Sequence, residues 1–236
     1  MEVYNLNFLL KRFMDILISL IALLIFSPLF LLIPIAIKLD SKGSVLFKQG
    51  RLTKNGVVFT MYKFRTMIEN AENMGAGLFN YENDFRVTKV GGFLRRTSLD
   101  ELPQLINVIK GDMSIVGPRP PVSYELGNYE DLNAQYKRRF TVLPGVTGLA
   151  QVSGRNELPW DEKVIHDNRY IDLFKKYGIL IDVKIIILTI LNVFTMKDIY
   201  EVKDETAATC SDEELAIKAQ EKVMANARSL KKSENE

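Results

Sequence analysis

From Ile16 to Ile37 the chain runs for 22 residues without a charged side chain, and no other feature limits its fold as sharply. Roughly 20 apolar residues are enough for a helix to cross a bilayer. A cleaved signal peptide is disfavoured, because Asp15 stands directly before the run and no small-x-small site follows it. Ser27-Pro28 lies at the middle of the run and Pro34 near its far end. Proline inside a helix removes a backbone hydrogen bond and kinks the rod. Both flanks are basic, with Lys11 and Arg12 ahead and Lys38, Lys42, Lys48, Arg51 and Lys54 behind. A spanning helix carries one such flank, on the cytoplasmic side. Two favour a helix-break-helix hairpin that enters the membrane and returns, although prolines are also tolerated in spanning helices.

Composition narrows the chemistry. Hydrophobic residues make up 47% of the 236, near the globular average, so the remainder is not a multi-pass membrane protein. The single Cys210 excludes an internal disulfide and a four-cysteine zinc site, and His166 is the sole histidine. Catalysis must rest on carboxylates, basic side chains or an oxygen-liganded metal such as Mg²⁺. Residues 201–236 hold six basic and nine acidic side chains, against 25 and 20 in the first 200. A basic body beside an apolar anchor suits anionic lipid head groups or phosphates. An ordinary solvated surface explains the charge equally well.

Beyond the anchor, Ser44–Gln49 and Val57–Phe64 are rich in β-branched and aromatic residues, and Asn55-Gly56 between them marks a β-hairpin. Residues 66–92 read as a mobile loop or broken helix. Leu102, Leu105, Ile106 and Ile109 follow helical spacing, and Gly111 ends that helix. A helix is expected around 124–139, between the turn-rich stretches Gly117–Pro121 and Pro144–Asn156. Ile179–Phe194 is apolar but interrupted by Asp182 and Lys184, which predicts an interfacial or core helix. Ser211 and Glu214 form a capping box for a surface helix in the tail. The expected class is α+β, mainly helical, with an anchor over 1–40, a catalytic domain over 41–200 and a charged tail helix over 201–236.

Asp100-Glu101 is the most suggestive pair. Asp100 at a helix start faces the positive end of the helix dipole, which favours its ionised form and attracts phosphate. Arg95 and Arg96 lie just upstream. An ionised aspartate among arginines has the parts for attack on phosphorus, with Mg²⁺ offsetting the charge. The ordinary alternative is capping: Asp is a common N-cap, and Ser98-x-x-Glu101 is itself a capping box. Arg119, held between Pro118 and Pro120, is presented with little freedom to grip phosphate. Arg155 sits in a similar Gly-Arg-Asn turn, and Lys63 projects opposite its aromatic neighbours if its strand is real. His166, Trp160 and Tyr170 read as structural.

Several stretches together resemble the monotopic phosphoglycosyl transferases, the bacterial sugar transferases, in their small catalytic-core form. They are Lys11-Arg12-x-x-Asp15, the Ser27-Pro28 break, YKFRTM over 62–67, LRRTSLDELPQLINVIKGDMSIVGPRP over 94–120 and PGVTGLAQVSGRN over 144–156. The resemblance runs over roughly residues 7–200 and shifts the reading of Asp100-Glu101 from capping to catalysis. It implies a re-entrant anchor broken at Ser27-Pro28, on the cytoplasmic face of the bacterial inner membrane. It implies that Asp100, also the Mg²⁺ ligand, attacks the β-phosphate of a UDP-sugar and releases UMP. The phosphosugar would then pass to polyprenyl (undecaprenyl) phosphate, in exopolysaccharide or capsule synthesis. Glu101 would shape Mg²⁺ binding or deprotonate the acceptor. Lys63, Arg95, Arg119 and Arg155 match positions around the phosphates and nucleotide, and Asp167 an acidic position nearby. Expected partners are the two substrates, membrane lipids, and a second copy or downstream glycosyl transferases, but no nucleic acid. The competing functions are a glycosyl transferase that releases UDP and a non-catalytic scaffold of polysaccharide assembly.

Overall fold

In a computed structural model, the structure describes residues 2–74, 84–154 and 158–195. The apolar run is divided as its prolines suggest. Helix α1 (Glu2–Ile25) and helix α2 (Ser27–Asp40) meet at Phe26 with a 62° bend. Pro28 sits in the first turn of α2, where its missing N–H has no partner to lose. The Ser27 hydroxyl donates to the Leu24 carbonyl at 2.8 Å, so the break leaves that group satisfied. Pro34, read as a second interruption, is carried inside α2 without ending it. Among the described residues no single helix is long and apolar enough to cross a membrane, but the bent pair passes that test together.

The basic flank before the run differs from its reading as free charge. Lys11 is buried, with Nζ 2.6 Å from Asp182 Oδ2 and donating to the Val116 carbonyl at 2.9 Å. Arg12 donates to the carbonyls of Ile109 and Met113, and Asp15 accepts from the Ile115 amide at 3.0 Å. All three polar members of Lys11-Arg12-x-x-Asp15 therefore grip one segment, 109–116, and dock α1 onto the body. Fewer free cations remain to orient the helix, and the bend carries the hairpin argument instead.

Strands β1 (Leu46–Leu52) and β2 (Val58–Phe64) form an antiparallel pair from Leu46↔Phe64 to Leu52↔Val58. Asn55 and Gly56 turn between them with φ of 58° and 73°, the left-handed region that Asn-Gly enters readily. β1 extends three residues further than expected, because Gly50–Leu52 continue the ladder. Alternation puts Phe59, Met61 and Lys63 on one face. Phe59 and Met61 pack with Val108 and Met113, which leaves Lys63 further along the same face.

The described parts of the 66–92 segment, 66–74 and 84–92, are more regular than a loop, and 75–83 lie outside the described residues. Ile68 and Thr88 amides bond the Arg86 and Thr66 carbonyls, so the two ends run antiparallel. A fully buried Asp84–Arg86 pair at 2.7 Å holds them, and Arg86 also donates to the carbonyls of Ala71 and Met74. Helix α3 (Lys89–Arg96) starts there with Thr88 Oγ1 accepting from Gly91 N. A Cβ at Gly91 would meet the Thr66 carbonyl oxygen at 1.9 Å, so glycine permits this close approach.

Helix α4 (Gln104–Lys110) ends at Gly111, φ 95°, as its spacing predicts. Strand β3 (Ser114–Val116) follows. Beyond it the expected helix at 124–139 shrinks to α5 (Ala134–Arg138), because Gly127 takes φ of 75° and irregular chain precedes the Asn133 cap. Strand β4 (Gly145–Thr147) pairs parallel with β3 inside a stretch read as turn, and helix α6 (Leu149–Gly154) follows. Helices α7 (Trp160–Tyr177) and α8 (Ile179–Thr195) complete the described chain. The expected tail helix over 201–236 lies outside the described residues.

Helix α8 has two apolar faces. Ile181 and Ile185 join a core with Val116, Val142, Tyr170, Ile171 and Phe174. Leu180, Val183, Ile187, Ile190 and Leu191 are exposed, as are Leu24, Leu31 and Leu39 of the bent pair. Asp182, which seemed to interrupt α8, points inward and pairs with Lys11 and the Tyr170 hydroxyl. Another cluster joins Ile33 and Ile37 of α2 to Phe64 and Leu94, with Leu99 and Leu102 packed against it. The bent pair thus rests directly on residues either side of Asp100-Glu101.

Candidate active site

Asp100 does not cap a helix. It lies in a 3₁₀ turn, Leu99–Glu101, ahead of α4, whose N-cap is Pro103 with no side-chain cap bond. The Ser98 side chain makes no cap bond either, so the expected capping box is absent. Instead Ser98 holds φ of 56°, a left-handed conformation that costs a non-glycine residue roughly 1 kcal/mol. The turn it creates delivers both carboxyls toward β2. Strain is retained here with no cap to show for it.

Lys63 Nζ lies 2.7 Å from Glu101 Oε1 and 4.0 Å from Asp100 Oδ2. Arg119 approaches the same Glu101 oxygen, its Nη1 at 3.4 Å. Asp100 itself accepts no hydrogen bond among the described residues and is 8% exposed. Burial pushes its carboxyl up to about 6, with Lys63 opposing and the Glu101 charge adding. Burial also works to raise Glu101, but Lys63 and Arg119 outweigh it and hold that carboxyl down at about 2. Burial lowers the Lys63 ammonium below its ordinary value. Burial therefore acts on Asp100 against the direction expected of a helix dipole, and a value of about 6 still leaves the carboxyl mostly ionised at neutral pH.

The other expected residues divide. Arg95 donates from Nε to Thr66 Oγ1 at 2.8 Å, and its charge acts on Asp100. Arg155 lies outside the described residues. Asp167 pairs with Arg139 at 3.0 Å and not with the side chains around the dyad. Ser27 and Pro28 mark the bend. His166 acts on Asp167 only through its charge, Tyr170 is core, and Trp160 stacks on the Arg139 guanidinium at 4.8 Å.

Two arginines passed over as site residues in the sequence hold the Gly117–Pro121 stretch. Carbonyls of Pro118, Arg119, Pro120 and Pro121 each accept a hydrogen bond: from Gly145 N at 2.9 Å, Arg139 Nη2 at 2.6 Å, Arg51 Nη1 at 2.6 Å and Leu52 N at 3.1 Å. Burial lowers the Arg51 guanidinium to about 10, and Arg119 nearby adds to that. Neither arginine stands in a recognisable motif. A signal exists only in the prolines, which remove N–H donors and leave carbonyls for outside donors to fill.

The described residues contain no group of three or more His, Cys, Asp or Glu side chains suited to a metal. Two adjacent carboxyls, one without a hydrogen-bond donor, still fit Mg²⁺, which is commonly held by one or two carboxylates together with substrate phosphates and water.

The site is thus a buried carboxylate pair on a strained turn, with Lys63, Arg119 and Arg95 around it and the apolar helix α2 packed beside it. The family model described as bacterial sugar transferase matches residues 6–196, and the chain belongs to that family. It is 44% identical over 202 residues to the galactosyl transferase CpsE of Streptococcus agalactiae, covering 80% of this chain and 43% of that protein. It is 43% identical over 198 residues to the UDP-glucose:undecaprenyl-phosphate glucose-1-phosphate transferase of Klebsiella pneumoniae, covering 83% and 42%. With the exopolysaccharide production protein ExoY of Rhizobium meliloti it shares 42% identity over 194 residues, covering 76% and 83%. The chain thus spans about two fifths of the length of the first two relatives and most of the third.

Proposed function

We propose that this chain transfers a sugar-1-phosphate from a UDP-sugar to a polyprenyl phosphate, with undecaprenyl phosphate the expected acceptor, and releases UMP. The observation that carries this reading is the unbonded Asp100 carboxyl beside the Lys63–Glu101–Arg119 cluster, on a turn packed against α2. A lipid phosphate presented at the base of an apolar hairpin and a nucleotide diphosphate arriving from water would meet there.

In the first step an Asp100 oxygen forms a bond to the β-phosphorus. The bond from that phosphorus to the oxygen bridging to the α-phosphate breaks, and its electron pair leaves on UMP. In the second step an oxygen of the lipid phosphate attacks the same phosphorus, and the Asp100 oxygen leaves as carboxylate. Lys63 and Arg119 supply fixed positive charge to the phosphoryl oxygens. Glu101 holds those two cations in place; as a carboxylate kept ionised by both, it is a poor base for the acceptor. Asp100 would ligate Mg²⁺, which when bound offsets charge between carboxylate and diphosphate. The family resemblance and the bent pair support a re-entrant anchor on the cytoplasmic face. The exposed face of α8 fits a helix lying in the interface.

One relative is named a galactosyl transferase, and movement of the sugar alone would release UDP. Incubation with a panel of UDP-sugars and undecaprenyl phosphate, followed by identification of the nucleotide product, decides between the two. UMP supports the proposal and UDP refutes it. The same panel identifies the sugar.

A further inference from the structure

Arg139 and Asp167 are both almost fully buried, at 2% and 1% exposure. Burying an ion pair is expensive, and well-packed apolar residues of the same volume are often more stable in its place. The Arg139 guanidinium lies against the rings of Phe140 and Trp160 and 3.0 Å from Asp167. Its Nε and Nη1 atoms have no hydrogen-bond partner, and its Nη2 donates to the Arg119 carbonyl at 2.6 Å. One bond thus uses the guanidinium, and it falls on the backbone of the residue whose side chain reaches Glu101.

Resting on the function proposed above, we infer that Asp167 and Arg139 are a positioning pair that sets the Arg119 side chain. Asp167 fixes Arg139, Arg139 fixes the Arg119 carbonyl, and Arg119 contacts the donor phosphates. Arg51 performs the parallel task one residue on, at the Pro120 carbonyl. The flanking prolines cannot be anchored through their own N–H groups, so donors from elsewhere must hold the stretch through its carbonyls. Asp167 therefore affects the donor without touching it.

The test is a double-mutant cycle on UDP-sugar binding, measured by calorimetry in an Asp100→Asn background so that nothing turns over. Asp167→Asn should weaken binding about tenfold, because it removes the charge that holds the Arg139 guanidinium. Arg119→Ala should weaken it by more, and adding Asp167→Asn to Arg119→Ala should then cost nothing further. General structural damage would instead add in both backgrounds. Because a lone buried Arg139 could unfold the protein, Arg139→Gln with Asp167→Asn is run alongside, retiring both charges together, with thermal melting to confirm folding. Its expected pattern is the same. A persistent loss in the Arg119→Ala background, whether from such damage or from direct contact of Asp167 with the donor, would overturn the inference, as would unchanged binding in both charge variants. Absence of binding to any UDP-sugar in the Asp100→Asn parent would strike the proposed function first, and the inference with it.

Discussion

Lys63 Nζ stands 2.7 Å from Glu101 Oε1 and 1.3 Å farther from Asp100 Oδ2, at 4.0 Å, so one ammonium treats two neighbouring carboxyls differently. Glu101 takes the ion pair and stays charged. Asp100 keeps its lone pairs for another use. Replacing Lys63 with Met should raise both carboxyls and remove a cation from the phosphate site. UMP release should fall by roughly 100- to 1,000-fold, the size seen when one fixed electrostatic contact is lost. Steady-state assays with saturating donor would read it, and a change below threefold would place Lys63 outside the reaction.

Asp100→Asn should abolish UMP release and any phosphosugar-protein adduct detected by intact mass. It should also stabilise the metal-free protein at pH 8. Burial raises the Asp100 carboxyl in the fold to about 6, against 3.8 ordinarily. An acid raised by folding is worth most below pH 3.8 and loses that benefit as pH rises through 6. Asn has no charge to bury, so its advantage should appear at pH 8 and fade toward pH 4. Melting curves in chelator across that range would show it, on the order of 3 kcal/mol at the alkaline end. A variant no more stable than the parent at pH 8 would contradict the burial argument.

Lys11→Met leaves Asp182 buried beside Tyr170 without its cation. Removing one partner of a buried pair typically costs about 3–5 kcal/mol. The melting temperature in detergent should drop sharply, whereas Lys11→Met with Asp182→Leu should recover much of it. Failure of the double variant to recover would show that the hydrogen bond to Val116, not the ion pair, dominates.

For the anchor, single cysteines at position 2 and position 43, in a Cys210→Ser background, should react with an impermeant reagent from the same, cytoplasmic side. Pro28→Ala removes the residue that breaks the run and should shift some molecules to a straight, spanning form. Labelling of the two ends from opposite sides in the parent would exclude the hairpin.

How much of this was legible beforehand depends on range. Ser27-Pro28, Asn55-Gly56 and Gly111 act through their own backbone angles, and the bend, the hairpin and the α4 terminus fell where those residues are. Asp100-Glu101 stood out by neighbouring charge, but the capping geometry expected of it was absent, since Ser98 enters a left-handed turn that no local preference favours. The β3–β4 pair escaped notice because three-residue parallel strands carry no period, and their pairing partners lie some 30 positions apart. The buried roles of Arg139 and Lys11 are hidden for the same reason. Each looks like a surface charge until Asp167 or Asp182 is brought to it.

Lys11 and Asp182 have one more consequence, in the order of synthesis. Lys11 leaves the ribosome with the apolar hairpin, and its counter-charge follows 171 residues later. At about 5–20 residues per second the wait is on the order of ten seconds or more. The contacts of Arg12 and Asp15 with residues 109–115 can form during that interval, but the Lys11 ammonium still lacks its partner. The ion pair that completes the docking of α1 is therefore a late event, and a chain cut short before α8 would carry a Lys11 ammonium without its counter-charge.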